Sequence, residues 1–281
     1  MTRSGPGSVA RLLRRVVAVV VLVAGVQVAD SWSQGGDLAG PPDASAQGGT
    51  RAVVQPLSPP ERLAPAPPPV PGTGGYRFTT TQPYDAERPV AFDPCRPVRY
   101  AVRPGGAVPG GEALVDDAVA ELARVTGLVF ERVADTDEEP AVERPTVQHD
   151  RYGPGAVPVL VAWSDERAWP PLTGLVAGVA GSQWMDVGRP DSRRYVTGMV
   201  VLDGEQLTET LEEKNGLSRV RAVVLHELAH VVGLDHVPDP DALMHPHNRD
   251  QAAFAEGDLR GLAALGSGEC FTDWSLLVGT D

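Results

Sequence analysis

Residues 226–236 read His-Glu-Leu-Ala-His-Val-Val-Gly-Leu-Asp-His, a spacing that can hold a metal ion and work on water beside it. On a helix, residues four apart share a face, so His226 and His230 present two imidazoles to one point. Neutral imidazole is a good zinc ligand, and two on one rigid element come pre-spaced. Glu227 lies one position on, where its carboxylate can reach a metal-activated water without entering the coordination sphere. Gly233 can end the helix, because glycine tolerates positive φ, and the chain can then return His236 as a third ligand. Three protein ligands leave one position for water, the arrangement of a catalytic zinc rather than a structural one. The expected chemistry is amide hydrolysis, with Glu227 as base and then as acid toward the leaving amine.

A bare His-Glu-x-x-His occurs by accident. With six His and 31 Gly in 281 residues, requiring Gly233 and His236 as well cuts the accidental rate roughly 400-fold. That reduction sets aside the plainer reading, a pair of ordinary helix histidines.

The elements around the motif fall into an order. Val98–Val102 alternates as a strand. Residues 112–126 place Val115, Ala118, Val119, Leu122 and Val125 on one helical face, and Gly127 can stop that helix. A strand follows at Leu128–Phe130, then an acidic Pro/Gly-rich loop over 134–156. Val157–Trp163 is a continuous apolar run of the kind a buried strand shows. Further strands are expected at Tyr195–Leu202 and within 174–184. Helices are expected over Leu217–Val232 and 251–265. This succession predicts an α/β or α+β domain built on one mostly parallel sheet.

The ends of the chain differ from its middle. Arg3, Arg11, Arg14 and Arg15 precede the apolar run Val16–Val26, too short to span a bilayer comfortably and suited to a signal peptide over 1–29. An uncleaved N-terminal anchor is the alternative, and either way the rest of the chain is exported. Residues 30–75 are rich in Pro and Gly, including Pro65-Ala66-Pro67-Pro68-Pro69, and read as a disordered linker. The folded domain is expected over 76–281. Export permits a disulfide, and two cysteines, Cys95 and Cys270, allow one intrachain bridge. Net charge is −13, which argues against nucleic acid as the main partner. The expected partner is a protein or peptide substrate, bound by a monomer.

The motif also carries a resemblance. His226 to His236, followed eight residues later by Met244 in Asp241-Ala242-Leu243-Met244-His245-Pro246, resembles the metzincin metallopeptidases with their methionine turn. The Ala-Leu-Met-x-Pro form and the closing segment Gly257–Gly266 are similar to the matrixin branch. The resemblance implies an α+β zincin fold: a twisted, mostly parallel sheet, two long helices and a small C-terminal subdomain. It implies catalytic Zn2+ on His226, His230 and His236, with Met244 as a floor beneath it. Ala229 departs from the glycine usual there. The thiolate that blocks the metal in the family's pro-segment has Cys95 as its one candidate here, and a Cys95–Cys270 bridge is the preferred use of that residue. His149-Asp150 and Asp135-x-Asp137-Glu138-Glu139 could bind further ions, but a solvated acidic loop is the simpler expectation. His245 and His247 read as rim residues. The competing readings are a zinc-binding envelope module without peptidase activity and a zinc amidase acting on cell-wall peptide.

Overall fold

The computed structural model describes residues 19–20, 61–186, 193–248 and 251–271. The signal or anchor segment and the first part of the linker lie outside the described residues, Val19–Val20 excepted. That dipeptide pairs antiparallel with His247–Asn248.

Five strands make the central sheet: β1 (Val98–Arg103), β2 (Phe130–Asp135), β3 (Val159–Ser164), β4 (Gly178–Met185) and β5 (Arg194–Asp203). Their order is β2-β1-β3-β5-β4. All neighbours are parallel except β4, which runs antiparallel along β5 as an edge strand. The helices are α1 (Gly111–Thr126), the single turn α2 (His149–Tyr152), α3 (Gly204–Leu211), α4 (Gly216–Val232) and α5 (Glu256–Gly266). The fold is thus α+β with a mostly parallel sheet, as the sequence predicts.

Side-chain parity explains the layering. Successive strand residues point to opposite faces. Val98, Tyr100 and Val102 on β1, and Val159, Val161 and Trp163 on β3, join the main core with α1 and α4. On β5, Val200 and Leu202 enter that core, while Val201 packs on the other face with Trp169, Leu172, Val176 and Val179. Every residue of β3 is buried, which is why its sequence is an unbroken apolar run rather than an alternation.

Some boundaries differ from the sequence expectation. The last helix begins at Glu256, not at 251, because the Asp258 carboxylate accepts the Ala255 N–H at 2.9 Å and fixes the first turn there. Helix α3 was not foreseen; Asp203 caps it by accepting from the Gln206 N–H at 2.9 Å. Residues 61–75, assigned by composition to the linker, lie against the domain. The Leu63 N–H donates to the Pro94 carbonyl at 3.1 Å, and Pro67 is buried.

Cys95 and Cys270 form a disulfide across a sequence separation of 175, with Cα atoms 5.4 Å apart. Closing a loop of that length removes about 5 kcal/mol of chain entropy from the unfolded state. The acidic loop after β2 is not simply solvated. Glu138 is buried, and Arg144, itself buried, donates to both its oxygens at 2.8 and 2.9 Å. Asp137 pairs with Arg151, and Glu139 with Arg103.

Candidate metal centre

Helix α4 carries the first two candidate ligands, flanked by residues of the main core. His226, Glu227 and His230 are 1%, 0% and 1% exposed. Gly233 ends the helix at φ 119° and donates its N–H to the Ala229 and His230 carbonyls at 3.1 Å. A side chain at that φ would be strained, so the reversal that brings His236 back depends on glycine.

The three imidazoles do meet. The Nε2 atoms of His226 and His230 are 2.9 Å apart, those of His226 and His236 3.1 Å, and those of His230 and His236 3.3 Å. Among the described residues this is the one group of three or more His, Cys, Asp or Glu that could hold an ion. The proton positions follow from the partners on the far side of each ring. His226 Nδ1 lies 2.7 Å from the Leu243 carbonyl, and His230 Nδ1 lies 2.7 Å from the Leu234 carbonyl. A carbonyl only accepts, so each Nδ1 carries the hydrogen and each Nε2 is left with a lone pair. Lone pairs aimed at one another at these distances call for a cation. Nitrogens held about 2.0–2.1 Å from one tetrahedral zinc stand roughly 3.3 Å apart, so the donor set fits that ion.

Electrostatics favour the same state. Burial, then the neighbouring His236, lowers His226 to about 3. Burial also holds His230 well below the ordinary imidazole value, with His226 and His236 adding to the effect. His236 is lowered too, chiefly by burial. All three are therefore neutral and ready to ligate at physiological pH. Burial alone raises Glu227 well above the usual carboxylate range, and neither of its oxygens has a hydrogen-bond partner. A bound cation supplies the positive charge that would bring it back down.

The surroundings contain residues that the motif does not reveal. A Cβ on Gly178 would stand 2.7 Å from Glu227 Cγ, so β4 passes directly over the carboxylate and needs glycine there. Asp258 on α5 is 1% exposed and accepts the Leu243 N–H at 2.7 Å. Leu243 then orients His226 through its carbonyl. Asp258 is a positioning residue, and it stood in the closing segment that carried the resemblance, without a role. Met244 is buried in the main core, and its carbonyl accepts the Val237 N–H at 3.1 Å. His245 Nδ1 faces the His247 backbone, and neither ring joins the ligand cluster. His149, Asp150 and the acidic run 135–139 form no such cluster either.

A cavity of about 350 Å³ opens along β4. Thr80, Val179, Ser182, Trp184, Tyr195 and His230 are among the residues lining it. A mostly parallel sheet with an antiparallel edge strand, beside three converging histidines of which two are buried, is the arrangement of a zincin-type fold.

The Matrixin model of the M10 peptidases matches residues 187–265, which include His226, His230, His236, Met244 and most of α5. Over that segment the chain is matrixin-like. No curated protein matches it. Two solved structures are similar in part. The GM1-bound form of the ECX AB5 holotoxin is 12% identical over 52% of this chain and 55% of that one, with a TM-score of 0.27. Metalloproteinase-II from Bacteroides fragilis is 12% identical over 64% of this chain and 53% of that one, with a TM-score of 0.31. The chain thus spans about half the length of either.

Proposed function

We propose that the protein is an exported zinc-dependent endopeptidase that hydrolyses peptide bonds of extracellular or envelope proteins. The observation that carries this reading is the pairing of three converging imidazole Nε2 atoms with an unpartnered buried carboxylate, Glu227. A site that only stored metal would have no use for that carboxylate.

His226, His230 and His236 would hold the ion. When bound, zinc acts as a Lewis acid that polarises the scissile carbonyl and acidifies water. Glu227 takes the proton of the attacking water on a carboxylate oxygen and returns it to the leaving amine. The Leu243 and Leu234 carbonyls keep Nδ1 of His226 and His230 protonated, so that Nε2 stays free to ligate. Strand β4 offers its outer backbone edge beside His230. An extended peptide can add to such an edge through main-chain hydrogen bonds, which suits an endopeptidase acting on unfolded or loop segments. The Cys95–Cys270 bridge supports export, since disulfides persist in oxidising compartments. No described helix is long and apolar enough to cross a membrane.

The test is digestion of casein, and separately of cell-wall material, by the purified chain. Cleavage of casein should stop with a chelator, return with zinc and fall about 10²–10⁴-fold in Glu227→Gln. Cleavage of cell-wall peptide alone would make it an amidase. A Glu227→Gln variant as active as the parent would remove the proposed base.

A further inference from the structure

Two ligands ride on a helix, but the third lies beyond its end on a chain that no long element supports. What holds it is the N-terminal part of the described chain. Arg77–Phe78 pairs antiparallel with Leu234–Asp235. The Thr79 N–H donates to the Gly233 carbonyl at 2.9 Å. Asp235 accepts the His236 N–H at 2.7 Å and faces Arg77 at 3.8 Å. The Leu234 carbonyl in this ladder is also the group that orients His230.

The same stretch reaches α5 at both ends. Near its start, Glu256 accepts the Thr73 and Gly74 N–H groups at 2.7 and 2.9 Å. Arg260 donates to the Gly74 carbonyl at 2.6 Å. At the far end, Arg62 donates to the Gly266 and Gly268 carbonyls at 2.7 and 2.8 Å. The fit is close. A Cβ on Gly257 would stand 2.2 Å from the Gly75 carbonyl oxygen, and one on Gly261 2.5 Å from Leu234 and 2.9 Å from Tyr76. Helix α5 carries Asp258, which reaches His226 through Leu243. The stretch therefore backs His230 through Leu234, His236 through Asp235, and His226 at longer range through Asp258 of α5 and Leu243.

We propose that residues 61–80 are a strap that positions the metal ligands, with Phe78, Thr79 and Glu256 as its anchoring contacts. Displacing or cutting it loosens metal binding while the sheet and the long helices persist. Any maturation cut compatible with full activity then falls before Glu61. The proposal rests on the zinc reading above. Coupling between sites is reciprocal, so zinc must in turn tighten the strap.

The test uses the full chain and three variants. Gly257→Ala places a methyl against the Gly75 carbonyl, yet alanine is the better helix former, so α5 itself is not weakened. Glu256→Ala removes the acceptor of two strap amides. Leu160→Ala, in the central strand, is a control that destabilises the core without touching the strap. Zinc affinity is measured by chelator competition. Ligand geometry is read from the visible absorption of the cobalt(II)-substituted protein, and the strap amides by hydrogen exchange with and without zinc. The expectation is one tightly bound zinc in the parent chain. Gly257→Ala and Glu256→Ala should weaken it about 10–100-fold and shift the cobalt bands, whereas Leu160→Ala should shift neither. Amides 73–79 should exchange faster without zinc. Wild-type affinity and cobalt spectra in both strap variants would overturn the strap, as would exchange indifferent to zinc, and the zinc reading would survive. A parent chain that holds no zinc would sink the zinc reading itself, a different and separately visible failure.

Discussion

Among the described residues, the buried polar clusters around Glu138 and around His226 are completed differently. Around Glu138 every demand is met from within. Arg144 makes a two-pronged ion pair and also donates to Thr197 Oγ1 and the Gly198 carbonyl, while Gln148 and Tyr152 donate to the same carboxylate. Around His226 the demands are left open: three Nε2 atoms converge and Glu227 has no partner. Both arrangements cost desolvation. The closed cluster recovers that cost in the folded chain alone, so it shapes a loop. The open one recovers it only with a ligand, so it marks the working site.

The comparison is sharpest when one charge is removed from each cluster. Glu227→Gln should cost catalysis and leave the thermal midpoint of the metal-free protein unchanged or higher, because a buried unpaired carboxylate is removed. Arg144→Ala should do the reverse. It strands Glu138 and should cost about 3–5 kcal/mol of stability, measured by denaturant unfolding, with kcat at low temperature close to the parent's. Equal effects of the two variants on stability would end the distinction.

Acid should probe the closed cluster next. Burial alone would raise the Glu138 carboxyl, but hydrogen bonds from Arg144, Tyr152 and Gln148 outweigh it and bring it from 4.5 to about 2. A carboxyl with a depressed folded value contributes its stability above the unfolded value and loses it as pH falls through the folded one. The contribution is therefore full above about pH 4.5 and gone near pH 2, about 3 kcal/mol in all. Unfolding measured across that window should show the slope, and a Glu138→Gln, Arg144→Met double variant should lack it.

Smaller effects probe the open cluster. Gly178→Ala puts a methyl 2.7 Å from Glu227 Cγ, so the carboxylate must shift. Activity should fall about 10–100-fold with zinc affinity nearly unchanged, a split that separates the base from the ligands. Asp258→Asn should lower zinc affinity about tenfold by loosening the Leu243 carbonyl behind His226. Unchanged affinity there would show that the peptide at Leu243 is held without Asp258.

Much of this site was legible because its spacing is local. Residues four apart on a helix share a face whatever surrounds them, so His226, His230 and the place of Glu227 follow from the helix period alone. Gly233 announces the reversal, since only glycine takes that backbone conformation without strain. The strands are visible for a similar reason, β1 in its alternation and β3 in an unbroken apolar run, since burial on one face or on both is written into the local pattern. Helix α3 went unseen although its cap, Asp203, was in plain view, because the apolar positions in 204–211 are too few to show a period.

What the tertiary structure decided concerns contacts between residues far apart in the chain. Arg144 withdraws Glu138 from water, which turns part of an apparently solvated acidic loop into an internal ion pair. Residues 61–75 have a linker's composition, yet they dock through backbone N–H and C=O groups, which every sequence carries. Gly178 matters only because another strand's geometry lays it over Glu227. Sequence periodicity sets which groups an element can offer, whereas close approach and pairing between distant segments decide which of them act together.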